Sequence, residues 1–76
     1  MALPELSDQD RNWYILKGYE IIENGAWRVW HLNGKYHRED GPAIEHIHQQ
    51  LFRRYWYLNN EILTEEEFLE IIENKH

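Results

Sequence analysis

Trp27-Arg28-Val29-Trp30-His31-Leu32-Asn33-Gly34-Lys35 is the stretch on which the fold turns. Aromatic and β-branched residues suit a pleated, half-buried strand. The run ends on Asn-Gly, the pair best able to take positive φ at both centres of a tight hairpin turn. Upstream, Asn24-Gly25 gives the same signal, so strand follows turn follows strand. Further punctuation lies at Lys17-Gly18, Asp40-Gly41-Pro42 and Asn59-Asn60. Residues 12–62 therefore read as an antiparallel meander of about five to six short strands.

The motif recurs. Trp56-Tyr57-Leu58-Asn59-Asn60-Glu61 repeats Trp30-His31-Leu32-Asn33-Gly34-Lys35 at an offset of 26 residues. Upstream, Glu45, Ile47 and Arg53 match Glu20, Ile22 and Arg28 at an offset of 25. Residues 19–36 and 44–62 thus form two copies of one unit. The second has one extra residue between Arg53 and Trp56, which would reverse the side-chain alternation unless a β-bulge at 53–55 absorbed it. Trp13-Tyr14-Ile15-Leu16-Lys17-Gly18 is a fainter third echo.

The C-terminal segment reads as a helix over about 65–74. Thr64 and Glu67 form a capping box, with Leu63 and Phe68 as its hydrophobic staple. Phe68, Leu69, Ile71 and Ile72 make an apolar stripe, and a helix this short needs a surface to dock on. That surface is one face of the sheet, giving an α+β fold in a single domain spanning 1–76, with an N-terminal segment at 1–11 and the helix within 64–75. Ser7 and Asp10 can cap a short helical turn in that segment, and 1–6 are expected to be loosely held. Both sheet faces look apolar, so the second needs the N-terminal segment, a second copy of the chain in a homodimer, or a target to cover it.

Gly25-Ala26-Trp27-Arg28-Val29-Trp30-His31-Leu32-Asn33-Gly34-Lys35 resembles the MORN-type repeat. The continuation His37-Arg38-Glu39-Asp40-Gly41-Pro42-Ala43 is similar to tandem-repeat proteins of bacteriophages and large viruses. The resemblance covers about residues 19–62. In the second copy, Asn60 and Gln49-Gln50 stand where glycines would be, and no second His-Arg-Glu-Asp string follows. The resemblance implies stacked β-hairpins, a binding or scaffold role without established chemistry, and a phage-encoded origin.

Composition narrows the function classes. The chain has 76 residues, a formal net charge of −6 and no cysteine. That allows one small domain and excludes a disulfide-stapled scaffold. No run of about 18–20 apolar residues could span a membrane. Met1-Ala2-Leu3-Pro4-Glu5-Leu6 lacks the basic and apolar regions of a signal peptide, so a cytoplasmic protein is expected. Residues 1–60 are nearly balanced in charge, whereas 61–76 carry six glutamates against Lys75. An acidic surface repels phosphate, which argues against direct nucleic-acid binding.

The five histidines raise the question of a metal. His46 and His48 share a strand face in His-x-His spacing, with His31 and His37 on neighbouring elements, but a third ligand such as Glu45 points the other way. No metal and no cofactor are expected. His37-Arg38-Glu39-Asp40-Gly41-Pro42 could supply an acid and a base, yet it reads better as a turn. In that reading Asp40 accepts backbone N–H bonds, Gly41 takes positive φ and His37 bridges back. Ser7 is the only serine, so nucleophilic catalysis has no support.

The expected function is a small non-enzymatic protein-binding module acting on a host or viral protein. Its concrete form is an inhibitor of a bacterial defence enzyme (of CRISPR type) or of a nucleic-acid enzyme. The alternatives are a His-centred metal-dependent or nuclease-like enzyme and a purely structural repeat. The expected contact residues are Arg53, Arg54, Tyr55 and Tyr57 on one strand and Glu66, Glu70 and Glu73 on the helix. Arginine and tyrosine are enriched at interface hot spots, and the three glutamates share one helix side.

Overall fold

The computed structural model describes residues 5–48 and 51–74. The elements are α1 (Asp8–Leu16), β1 (Tyr19–Asn24), β2 (Trp27–Leu32), β3 (Lys35–Tyr36), β4 (Ile44–His48), β5 (Leu51–Leu58), β6 (Glu61–Leu63) and α2 (Glu65–Asn74). The six strands form one antiparallel sheet in the order β1-β2-β4-β5-β6, with β3 beside β2. The fold is the expected α+β meander with a C-terminal helix. It also has an N-terminal helix.

The turns follow the sequence with one shift. Asn33 and Gly34 take φ of 54° and 77°, and Asn59 and Asn60 take 50° and 70°. Both pairs thus meet the double positive-φ requirement of a type I′ turn. The first hairpin is set differently. Asn24 pairs with Trp27, leaving Gly25-Ala26 as the loop, and only Gly25 is positive, at 61°. Glycine at the first centre alone is the pattern of a II′ turn.

The repeat is accommodated without a bulge. Ile44, Glu45, His46 and Ile47 pair in unbroken register with Tyr55, Arg54, Arg53 and Phe52. Strand β5 has eight residues where β2 has six. The hairpin-closing pairs are Asn24 with Trp27 and His48 with Leu51. Measured between turns, β5 is therefore longer than β2 by two residues, and an even increment leaves the alternation intact.

Residues 12–16 are not strand. Ser7 caps α1 by accepting the Asp10 backbone N–H at 3.1 Å, and Asp8 and Asp10 sit at the positive end of the helix. The aromatic run Trp13-Tyr14-Ile15 mimics a strand, but tertiary packing overrides that preference. Only Tyr14 of the helix is buried, and it meets the Trp30 ring at 4.4 Å between centroids. The N-terminal segment thus supplies cover for the core around Trp30 and Ala43, with Leu6, Tyr19, Ile21 and Tyr57 packed at its margin.

At the other end, the Thr64 hydroxyl accepts the Glu67 backbone N–H at 3.1 Å, and the Glu67 carboxylate accepts the Thr64 N–H at 2.9 Å. The capping box is complete. Helix α2 docks on β5 and β6 through buried Phe68, with Ile72 half-buried, while Leu69 and Ile71 stay exposed. Only half of the expected stripe is used. Thr64→Ala is expected to cost about 1 kcal/mol, read as a lower midpoint in thermal or urea unfolding.

Candidate functional site

The His37–Ala43 string leaves β3 and returns at β4 after an excursion between two strands. Its ends are tied on both sides. The Trp30 N–H donates to the Ala43 carbonyl at 2.8 Å and the His37 N–H to the Trp30 carbonyl at 3.2 Å. Toward β5, the Ala43 N–H donates to the Tyr55 carbonyl at 2.9 Å and the Arg38 N–H to the Tyr57 carbonyl at 3.3 Å.

Arg38 is the centre of this segment. Its guanidinium lies 3.9 Å from the centroid of the fully buried Trp30 ring. Its Nε donates to Asp40 at 2.8 Å, and its Nη1 to the Pro42 carbonyl and to Glu45, each at 3.1 Å. The Tyr14 hydroxyl donates to Asp40 at 2.5 Å, which ties α1 to the excursion. A Cβ on Gly41 would stand 2.9 Å from the Arg38 Cζ, and Gly41 is not a positive-φ residue. A side chain at 41 would thus have to displace the Arg38 guanidinium, whereas the left-handed conformation expected from the sequence is not taken. Asp40 likewise accepts from side chains, where backbone donors were expected.

His37 is buried, and it bridges to a different turn. Its Nδ1 accepts the Asn59 backbone N–H at 3.0 Å, so Nε2 carries the proton shared with Glu39 at 3.0 Å. The Asn60 side chain accepts the Tyr36 N–H at 2.8 Å, and the Asn60 N–H donates to the Tyr36 carbonyl at 2.9 Å. The distal turn of the second copy is thus bolted to β3 of the first.

The electrostatics follow from this packing. Burial pushes the Tyr14 phenol above its ordinary value, and its bond to Asp40 pushes it further. Burial also raises Tyr19. For Arg38, burial opposes the charge, but the bonds to Asp40 and Tyr14 outweigh it and the guanidinium is held upward. Glu23 is lowered by Arg11 and, beyond a smaller opposing effect of burial, by Arg28, and pairs with both. The folded chain therefore resists phenol ionisation more than the unfolded chain does. Stability is expected to be intact below pH 10.0 and to fall as pH rises through and beyond it, less steeply in Tyr14→Phe, as followed by circular dichroism.

The predicted contact residues fall into separate environments. Arg53 and Arg54 are exposed, and the Arg54 guanidinium lies over the Phe52 ring at 4.8 Å. Alternation puts Arg53 and Tyr55 on one face and Arg54 on the other. Tyr55 is half-buried. Tyr57 is not an exposed anchor: it packs against the core and tilts on Tyr36 at 5.2 Å. Glu66, Glu70 and Glu73 are all exposed.

The described histidines do not converge. His46 stacks on Trp27 at 3.8 Å, His31 on Tyr36 at 4.8 Å, and His37 is held as above. The side chain of His48, and so the His-x-His pair, lies outside the described residues. Among the described residues no three His, Cys, Asp or Glu side chains gather, and no helix is long and apolar enough to cross a membrane.

One feature escaped the sequence. A cleft of about 310 Å³ lies between α1 and the excursion, lined by Trp13, Tyr14, Lys17, Tyr19, Glu39 and Asp40, with Leu32 beside them. Its sequence signal, the aromatics at 13, 14 and 19, fits a strand equally well. No family model, curated protein or solved structure matches the chain.

Proposed function

We propose that the chain is a small protein-binding module without catalytic activity. The observation that carries this reading is the division of labour among its polar groups. The acid, base and cation of the His37–Asp40 string are consumed in holding Trp30, α1 and the distal turn. Meanwhile large apolar side chains stand exposed on both sheet and helix, among them Ile22, Trp27, Ile62, Leu69 and Ile71. Ile62, Leu69 and Ile71 lie on β6 and on α2, which docks on it, and exposed apolar side chains grouped in this way suit an interaction surface. The partner is a host or viral protein. The resemblance to phage repeat proteins supports a phage-encoded inhibitor of a bacterial defence or nucleic-acid enzyme.

Binding uses Arg53 and Tyr55, which share one face of β5, and the Glu66, Glu70 and Glu73 row on α2; Arg54 lies on the other face. Capture of tagged protein from bacterial lysate supplies the partner, and kinetics with the purified pair test the surface. Reversing the three glutamates to lysine is expected to slow association roughly tenfold at low salt, with the effect shrinking as salt rises. Tyr55→Ala is expected to lose about 2 kcal/mol regardless of salt. Unchanged affinity in both variants, with the fold preserved, places the binding face elsewhere. Tyr57 is unsuited to this test because its truncation also opens the core.

A further inference from the structure

The cleft between α1 and the 37–43 excursion has walls of an unusual kind. Trp13 meets Tyr14 at 4.9 Å and 88°, and Tyr14 meets Tyr19 at 5.6 Å and 89°. The rings meet edge to face, with Tyr14 buried and Trp13 exposed, and Glu39 and Asp40 add carboxylates to the same lining. The Glu39 backbone holds the Tyr19 hydroxyl, which fixes that wall. Arg38 offsets the Asp40 charge and lies behind the Tyr14 ring, 5.6 Å from its centroid, and among the described residues the cation in the lining itself is Lys17. The Lys17 ammonium already lies 5.4 Å from the centroid of the Trp13 ring. Trp13 and Lys17 are neighbours by their i, i+4 spacing, and the ammonium rests on a ring face suited to a cation.

We propose that this cleft is a binding site for a methylated ammonium group. Aromatic faces attract cations through the ring quadrupole, tryptophan most strongly. A bare ammonium is strongly hydrated and loses much on leaving water. Methylation spreads the charge over an apolar surface, which suits the Trp13 and Tyr19 rings beside the half-exposed Glu39 carboxylate. Lys17, on a flexible stem at the C-cap of α1, is displaced by the incoming group. The site stands apart from the β5 and α2 surface, so it is independent of the protein-partner reading.

The test is titration of the full chain with tetramethylammonium chloride, followed by nuclear magnetic resonance of the indole N–H groups and by calorimetry. A saturable shift centred on Trp13 is expected. Choline should bind at least roughly tenfold more tightly than its neutral tert-butyl isostere, the size of a cation–π preference. Trp13→Leu should abolish binding in calorimetry and leave the fold intact, because Trp13 is 52% exposed. Lys17→Gln should bind severalfold more tightly, since it removes a competing cation, and Glu39→Gln severalfold more weakly. A merely apolar cleft predicts none of these signs. Equal response to the neutral isostere, binding that survives Trp13→Leu, or no gain in Lys17→Gln overturns the proposal, as does the absence of any saturable shift. A short peptide bearing trimethyllysine separates the sources. Tighter binding of the peptide than of choline assigns the group to a protein tail, and equal binding assigns it to a small free cation.

Discussion

Arg38→Ala is expected to be among the most damaging single changes, at about 3 kcal/mol or more. The substitution removes the guanidinium packed over Trp30 and leaves Glu45, itself buried, without the bond to its cationic partner. It also frees Asp40, so the Tyr14 link to α1 loses the charge that orients it. A domain of this size holds roughly 4–11 kcal/mol in total. Urea unfolding should therefore show a much lower midpoint. Arg38→Lys should recover little, because an ammonium cannot reach Asp40, the Pro42 carbonyl and Glu45 from one planar group. Rescue of most of the loss by lysine would mean that charge alone matters there, and the stacked geometry would be irrelevant.

Trp30→Ala should cost about 3–5 kcal/mol, as large-to-small changes of buried aromatics do. Trp30 is fully buried and touches Tyr14, Tyr19 and Arg38. The informative comparison is Trp30→Phe. The Trp30 indole N–H has no hydrogen-bond partner among the described residues. Replacing it loses volume and no bond, so phenylalanine should cost less than half of what alanine does. Near-equal losses, measured by calorimetric melting, would show that the indole N–H contributes through a hydrogen bond.

The parts of the fold legible in the sequence were those fixed by local chemistry. Asn33-Gly34 and Asn59-Asn60 demand positive φ wherever they lie, and Thr64 with Glu67 closes its box within one helical turn. What was illegible depended on contacts distant in sequence. Trp13-Tyr14-Ile15 has the composition of a strand, and it is helical because Tyr14 reaches Trp30 and Asp40. The tight fit at Gly41 comes from a side chain folded back from Arg38, which no turn rule encodes. The exposed glutamates of α2 were readable from helical periodicity. The exposure of Tyr57 was misjudged because its burial comes from Tyr36 and the core of the other copy. The aromatic cleft, assembled from α1, β1 and the excursion, had no contiguous signature at all.

The unequal lengths of β2 and β5 bear on how such a chain can diverge. Insertions and deletions within these strands are quantised. A lone added or lost residue in β5 would exchange the environments of Arg54 and Tyr55, sending a cation toward one side and a phenol toward the other. Paired changes leave every neighbour's orientation untouched and merely lengthen or shorten the ribbon. Drift in length between repeat copies should accordingly proceed by parity-conserving steps, and odd changes should be confined to the turns and to the excursion, where no alternation has to be kept.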